Sequence, residues 1–595
     1  MKNILFYALL LFAVHFSYAQ SPDWITYYEK SDSTETPRYE ETIEYCKKLA
    51  EGSEWIEYTT FGASPQNRDL PLLILDKSGN FEPSAVHDGD NVIILVEACI
   101  HPGEPDGKDA GLMLLRDLAI KKEKPDILDN LTLLFIPILN VDGHERFGPY
   151  NRINQNGPKE MGWRTNAQNL NLNRDFLKAD APEIQHWLRL FNKWMPDFFI
   201  DIHTTDGADY QYPLTYAMEV FGNMEENLSE WQKETYLKKL KTDMRATGHP
   251  IFPYVSLKEW HNPESGIVAW LGEPRLSQGY TAIRNRPGLL VETHMLKDYK
   301  TRVSATYELL KHTFKILDKE KDQLKQLVRN ADKKTASDDF REKQFPVDFE
   351  NTSDSTMIDF EGIEYSVKES ELTGAKWFQY GNKPVTFEVP YFNEIIPAQK
   401  VTLPEYYIIP PEWTEVIKRI KLHGIETHKI HKEIELNDVT TYKFSNVQWS
   451  TEPFEGRHRI QNFEMDTLNK TRKFPKGSVV IDMNQNTAKV IAHILEPVAP
   501  DSYLKWGFFN AIFEQKEYAE MYVMEKKARE MLDTSEQIRE EFERKKKEDK
   551  EFTNNPWAML NWFYKKTPYW DEKKNVYPVG KITEQESVKV LQEYL

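Results

Sequence analysis

The stretch that decides the fold is Asn91-Val92-Ile93-Ile94-Leu95-Val96-Glu97-Ala98, running directly into Cys99-Ile100-His101-Pro102-Gly103-Glu104. A short apolar run of β-formers bounded by a Pro/Gly turn reads as a buried strand feeding a loop, and residues 105–119 then carry a helical pattern. In open α/β sheets the loops at the carboxyl ends of strands are where ligands and metals sit. An imidazole and a carboxylate three residues apart on such a loop can turn toward one point. Zinc at catalytic sites commonly takes two His, one Glu and a water, so the question becomes whether a second His arrives from elsewhere. By itself the pair is a weak signal.

Further strands flank it. Residues 131–139 (LTLLFIPIL) form an apolar run ending at Asn140-Val141-Asp142-Gly143, and residues 197–202 (DFFIDI) end on His203-Thr204-Thr205. Residues 288–291 (GLLV) lead to Glu292-Thr293-His294. Upstream, residues 37–50 have helical spacing, and strands are expected at 54–61 and 70–75; a short helix is expected at 187–194. Strands alternating with helical segments predict an α/β fold, a mixed, mostly parallel twisted sheet flanked by helices.

Three strand ends thus present His101 with Glu104, His203, and Glu292. Zn²⁺ held by His101, Glu104 and His203 keeps one coordination position for water, whose pKa falls to ~7 in favourable sites. A carboxylate outside the coordination shell must take the water's proton and return it to a leaving amine, and partial burial at a strand end suits Glu292 to that work. The second feature is the Asn-rich run 162–176, with Arg164 and then Asn173-Arg174. Arg grips a carboxylate bidentately, an Asn amide adds a neutral donor, and Arg164 can face a developing oxyanion.

These residues resemble the M14 family of zinc carboxypeptidases: HxxE at His101 and Glu104, Asn173-Arg174, a lone His203 after a strand, and a strand Glu292, in that order. Asn140-Val141-Asp142-Gly143 is similar to the family's Asn-Pro-Asp-Gly turn, and the likeness spans residues 36–310. The resemblance implies one zinc ion per chain on His101, Glu104 and His203, with Glu292 as general base and acid. It implies Arg164 as the group polarising the scissile carbonyl, and Asn173 and Arg174 as the grip on a substrate's C-terminal carboxylate. For the family's mobile capping tyrosine the best match is Tyr280, because Gly279 beside it permits movement. One departure is Asn171, where many relatives carry an Asp serving a zinc-binding His; orientation of that His would pass to another group such as Asp142. His294 is expected to be packed or hydrogen-bonded, and His144, His186 and His261 to have loop-surface roles.

With 595 residues the chain is too long for one core, and 40% apolar with 13% aromatic residues supply several well-packed units. A net charge of −18 argues against nucleic acid or an anionic membrane as partner. A basic start at Lys2, an apolar run 4–16 and Ser17-Tyr18-Ala19 read as a signal peptide (1–19), so export to the periplasm or beyond is expected, with no membrane span. Cys46 and Cys99 are expected as buried free thiols. After the catalytic domain (20–335), short alternating segments predict a β-rich accessory domain (336–500) with one helix at 411–422, followed by a helical C-terminal segment (501–595). The expected activity is zinc metallocarboxypeptidase on peptides with a free C-terminal carboxylate. Two rivals stay open: a zinc amidohydrolase acting on N-acyl amino acids or peptidoglycan peptides, and a non-catalytic binding protein on the same fold. The oligomeric state and the role of the extension are undetermined by the sequence.

Overall fold

The structure is a computed structural model describing residues 24–595; the signal segment read at 1–19 lies outside the described residues. The N-terminal half contributes β1 (Ile56–Ala63), β2 (Asp69–Asp76), β3 (Val92–Ala98), β4 (Leu131–Ile136), β5 (Phe198–Thr204), β6 (Leu214–Met218), β7 (Ile251–Pro253), β8 (Ser256–Glu259), β9 (Asn262–Val268) and β10 (Gly288–Thr293). Eight of these make one sheet in the order β1-β2-β4-β3-β5-β10-β6-β7. Its four central strands, β4, β3, β5 and β10, are mutually parallel, and β2 and β6 run antiparallel to the outer two of them. The expected mixed, mostly parallel sheet is present. Strand β4 stops at Ile136 rather than 139, because Pro137 has no N–H for the ladder. Strands β6 to β9 had no reading in the sequence: they are short, and Pro253 and Pro263 break the apolar runs.

Every residue of β3 is buried, as a strand covered on both faces requires. Successive residues face opposite layers: Ile94 and Val96 join the core shared with helix Asp106–Leu115 and helix Tyr299–Lys319, whereas Ile93 and Leu95 join the core around Trp187 and Phe191. From β3 the chain moves to β4 on one side and later to β5 on the other. The crevice at the carboxyl ends of β3 and β5 is therefore a topological switch point, where open α/β sheets bind ligands.

The remainder adds β11 (Phe345–Asn351), β12 (Thr356–Glu369), β13 (Lys376–Phe392), β14 (Ile395–Val401), β15 (Tyr406–Ile409), β16 (His428–Lys429), β17 (Ile434–Trp449), β18 (Ile460–Phe474), β19 (Val479–Asp482) and β20 (Gly580–Ile582). The long β12–β13 hairpin extends β9 and β8 into a four-stranded sheet, and a six-stranded sheet runs β16-β19-β15-β20-β17-β18. The expected helix at 411–422 occupies Thr414–Leu422. Beyond residue 501 the chain is helical at Met521–Thr534, Glu536–Glu548 and Pro556–Tyr564, yet it then returns β20 to the six-stranded sheet, between β15 and β17. The core around Trp187 is continuous with extension residues Ile409, Ile420, Val490, Ile494, Tyr503 and Tyr577. Cys46 and Cys99 are free and buried. Among the described residues no helix is long and apolar enough to cross a membrane.

Candidate active site

Sheet register assembles the site. Glu292 on β10 pairs directly with His203 on β5, and Ala98 at the end of β3 pairs with Ile202 on the other side of β5. Cys99 takes a positive φ of 55°, turning the chain sharply out of β3. The turn after it is closed by the Glu104 N–H donating to the His101 carbonyl at 2.9 Å, so the two side chains of the HxxE segment emerge together.

Three potential ligand atoms converge there. His203 Nδ1 lies 3.1 Å from His101 Nδ1 and 3.0 Å from Glu104 Oε2, and His101 Nδ1 lies 3.3 Å from the same oxygen. All three residues are buried. Ligands about 2.0–2.1 Å from a tetrahedral zinc are spaced roughly 3.3 Å apart, so this triangle has the edges of one face of such a shell. The opposite ring nitrogens are already committed: His101 Nε2 to Asn171 Oδ1 at 2.9 Å, and His203 Nε2 to Asp201 Oδ2 at 2.7 Å. Donation there leaves each Nδ1 lone pair free to bind a cation. The donor set fits zinc.

Charge reinforces the arrangement. Burial opposes ionisation of Glu104, but Arg152, 2.8 Å from its Oε1, and His101 hold it well below the usual carboxylate range. Burial pushes His101 down to about 4, with Arg164 adding to the effect. His203 is moved the other way, above its usual value, because Asp201 and Glu104 outweigh its burial. Burial drives Glu292 up to about 8, with Glu104, Asp201 and Asp206 adding and His203 opposing.

His101, Glu104, Arg164, Asn173, Arg174, His203 and Glu292 all line one cavity of about 600 Å³. Arg275, Glu273, Tyr254 and Trp270 line it as well. Arg174 Nη1 donates to the Asn173 carbonyl at 2.6 Å, and among the described residues no carboxylate pairs with it. Burial and the neighbouring Arg164 and Arg275 lower its pKa, with Glu273 and Glu455 opposing. The Arg174 guanidinium is thus available to an anion entering the cavity.

Tyr280 is a correction. It lies in helix Ser277–Ile283, fully buried among Phe176, Trp187 and Phe191, with its hydroxyl 2.9 Å from His423 Nδ1. Gly279 is no hinge: a Cβ there would sit 2.2 Å from the Glu273 carbonyl oxygen, so glycine is required for close packing. The tyrosine on the cavity wall is Tyr254, its ring 5.6 Å from that of Trp270. Asp142 does not orient a ligand either; it accepts from Ser64, Gln66 and Arg68. Asn171 itself does that for His101. His144 is not on the surface but buried, 3.0 Å from Lys108 Nζ. His294 is packed as expected, against Tyr210 and Asp209. Of the residues not read from the sequence, Asp201 had a signal, since strand alternation puts it on the face of His203. Arg152 and Tyr254 had none, because they stand in irregular loops.

Residues 42–271 match the family model described as zinc carboxypeptidase. That stretch is similar to the catalytic domain of the M14 zinc carboxypeptidases, which are hydrolases. It is 25% identical over 497 residues to Carboxypeptidase 2 of Trichophyton rubrum, covering 80% of this chain and 85% of that one. Carboxypeptidase 2 of Trichophyton equinum is 24% identical over 499 residues, with the same coverage of 80% and 85%. Among solved structures, a metallo-carboxypeptidase from Pseudomonas aeruginosa in complex with (2-guanidinoethylmercapto)succinic acid superposes with a TM-score of 0.36 at 18% identity, over 48% of this chain and 70% of that one. One from Burkholderia cenocepacia gives 0.36 at 16%, over 47% and 70%.

Proposed function

We propose that the protein removes single residues from the C-termini of peptides by hydrolysis. His101, Glu104 and His203 hold one zinc ion, which when bound supplies Lewis acidity that acidifies water and polarises a carbonyl. Asn173 and Arg174 take the substrate's terminal carboxylate, the anion that unpaired Arg174 lacks. Arg164 faces the scissile carbonyl oxygen and stabilises negative charge as it develops. Glu292 removes a proton from the attacking water on its carboxylate oxygen and delivers it to the leaving amine nitrogen. Tyr254 replaces Tyr280 as the tyrosine hydroxyl available to substrate.

The observation that carries this reading is the triangle of His101 Nδ1, His203 Nδ1 and Glu104 Oε2, with both Nε2 atoms held elsewhere, in one cavity with Arg164 and Arg174. The test is zinc determination on the purified protein and digestion of a mixed peptide library read by mass spectrometry. Stoichiometric zinc with successive loss of C-terminal residues is expected. Zinc with an untouched library would move the substrate to N-acyl amino acids or wall peptides; absence of zinc after metal is supplied would overturn the ligand set.

A further inference from the structure

The extension reaches the support of a candidate metal ligand through Glu455. Strands β17 and β18 form a hairpin whose connecting loop reaches residues 170–180 of the catalytic half. There Glu455 Oε2 accepts the backbone N–H of Asn171 at 2.8 Å. Asn171 in turn offers Oδ1 to His101 Nε2 at 2.9 Å, while the same oxygen accepts the Asn173 N–H at 3.1 Å. Two hydrogen bonds therefore connect the accessory hairpin to a ring that the proposed reaction needs in one orientation and one tautomer.

The hairpin loop is firmly held. Arg457 grips the Asp180 carboxylate with Nε at 2.7 Å and Nη2 at 2.6 Å, a bidentate pair with fixed geometry. Its guanidinium lies 3.7 Å from the centroid of the Phe508 ring, and Phe454 stacks on buried Trp506 at 5.9 Å. Glu455 itself stands at φ 49°, a left-handed conformation that a residue with a side chain adopts at a cost. An amide makes the tether necessary. A carboxylate at position 171 would hold an imidazole N–H through either oxygen and by charge, whereas Asn171 has one acceptor atom and works only where its backbone places that atom.

We propose that Glu455 is a positioning residue for the metal site: by fixing Asn171 it fixes His101, and the extension is thereby a component of the catalytic centre. This rests on the zinc reading above. The experiment compares full-length wild type, Glu455→Ala and Glu455→Gln for zinc content, for zinc retention against chelators of graded affinity, and for kcat and KM. Glu455→Ala is expected to bind zinc about tenfold or more weakly, within the range for loss of a residue supporting a metal ligand, with an unchanged circular dichroism spectrum. Its kcat should fall at limiting zinc, and any KM change from the lost charge facing Arg174 should be shared by Glu455→Gln, which keeps zinc retention. Glu455→Gln keeps an acceptor oxygen and should restore retention. Wild-type zinc affinity in Glu455→Ala, or equal loss in both variants, would overturn the proposal while leaving the enzyme reading intact. A wild type that binds no zinc would overturn that reading, and this inference with it.

Discussion

Two imidazole nitrogens and a carboxylate oxygen held 3.0–3.3 Å apart inside a protein form a donor set that a shared cation would satisfy. The neighbouring carboxylate, Glu292, has a different part: it is partly open to the cavity, and its proton affinity is raised by burial. Replacing it by Gln removes the proton acceptor and keeps the volume. Glu292→Gln should lower kcat about 10²–10⁴-fold with zinc content unchanged; undiminished turnover would sink the general-base assignment. A second buried acid, Glu219, gives a stability signature. It accepts the Gly272 N–H at 2.9 Å, and burial raises it to about 8. The native state therefore holds a proton at Glu219 that the unfolded chain has released above about pH 4.3. Stability contributed by that proton is complete below about 4.3 and declines as pH rises toward 8. Denaturant titrations from pH 5 to 9 should show this decline in wild type and a flatter profile in Glu219→Gln. Identical slopes would refute it.

At the scale of elements, the position of the HxxE loop depends on how closely its following helix lies on the sheet. Gly107, in the first turn of helix Asp106–Leu115, allows that approach: a Cβ there would fall 2.7 Å from Cβ of Ile202 on β5. Ile202 is β-branched and enclosed, so it has no room to yield. Gly107→Ala should cost about 1–3 kcal/mol of unfolding free energy and weaken zinc binding, because displacing the helix carries Glu104 away from His203. Calorimetry with a zinc titration checks both effects, and a variant with native stability and affinity would show that the helix has slack. Buried β3, β4, β5 and β10 were all legible from apolar runs, and His101, Glu104, His203 and Glu292 from the punctuation at their ends. Tyr280 was misread for a reason belonging to the same scale. A glycine beside a tyrosine can mean mobility or close packing, and helix Ser277–Ile283 decides for packing through contacts with residues distant in sequence.

For the whole molecule, the continuous core is the governing fact. Trp187 and Phe191 of the catalytic half share one apolar cluster with Ile420, Val490, Ile494 and Tyr503 of the extension. Asp501, buried in the extension, accepts from the side chain and backbone of Arg275 on the cavity wall at 3.0 and 3.1 Å. A chain ending near residue 335 would expose that face of the catalytic half to water, and apolar burial is the dominant favourable term in folding. Such a truncation should be insoluble or partly unfolded, and the full chain should unfold with the catalytic half and the adjoining part of the extension in one calorimetric transition. Two well-separated transitions, with the truncated half folded and active, would show instead that the parts are independent.

By itself the sequence determined the α/β class, the central strands and the donor set, because hydrophobic period, turn residues and ligand chemistry are local properties written into consecutive residues. What only the tertiary structure decided was which groups support that set. Asn171 with Glu455, His203 with Asp201, Glu104 with Arg152, and Arg275 with Asp501 are pairings made by the folded chain. Of these only Asp201 was marked by local pattern. A hydrogen bond between residues 171 and 455 has no signature in either segment, since its energy exists only once the sheet, the hairpin and their common core have brought the two within 2.8 Å.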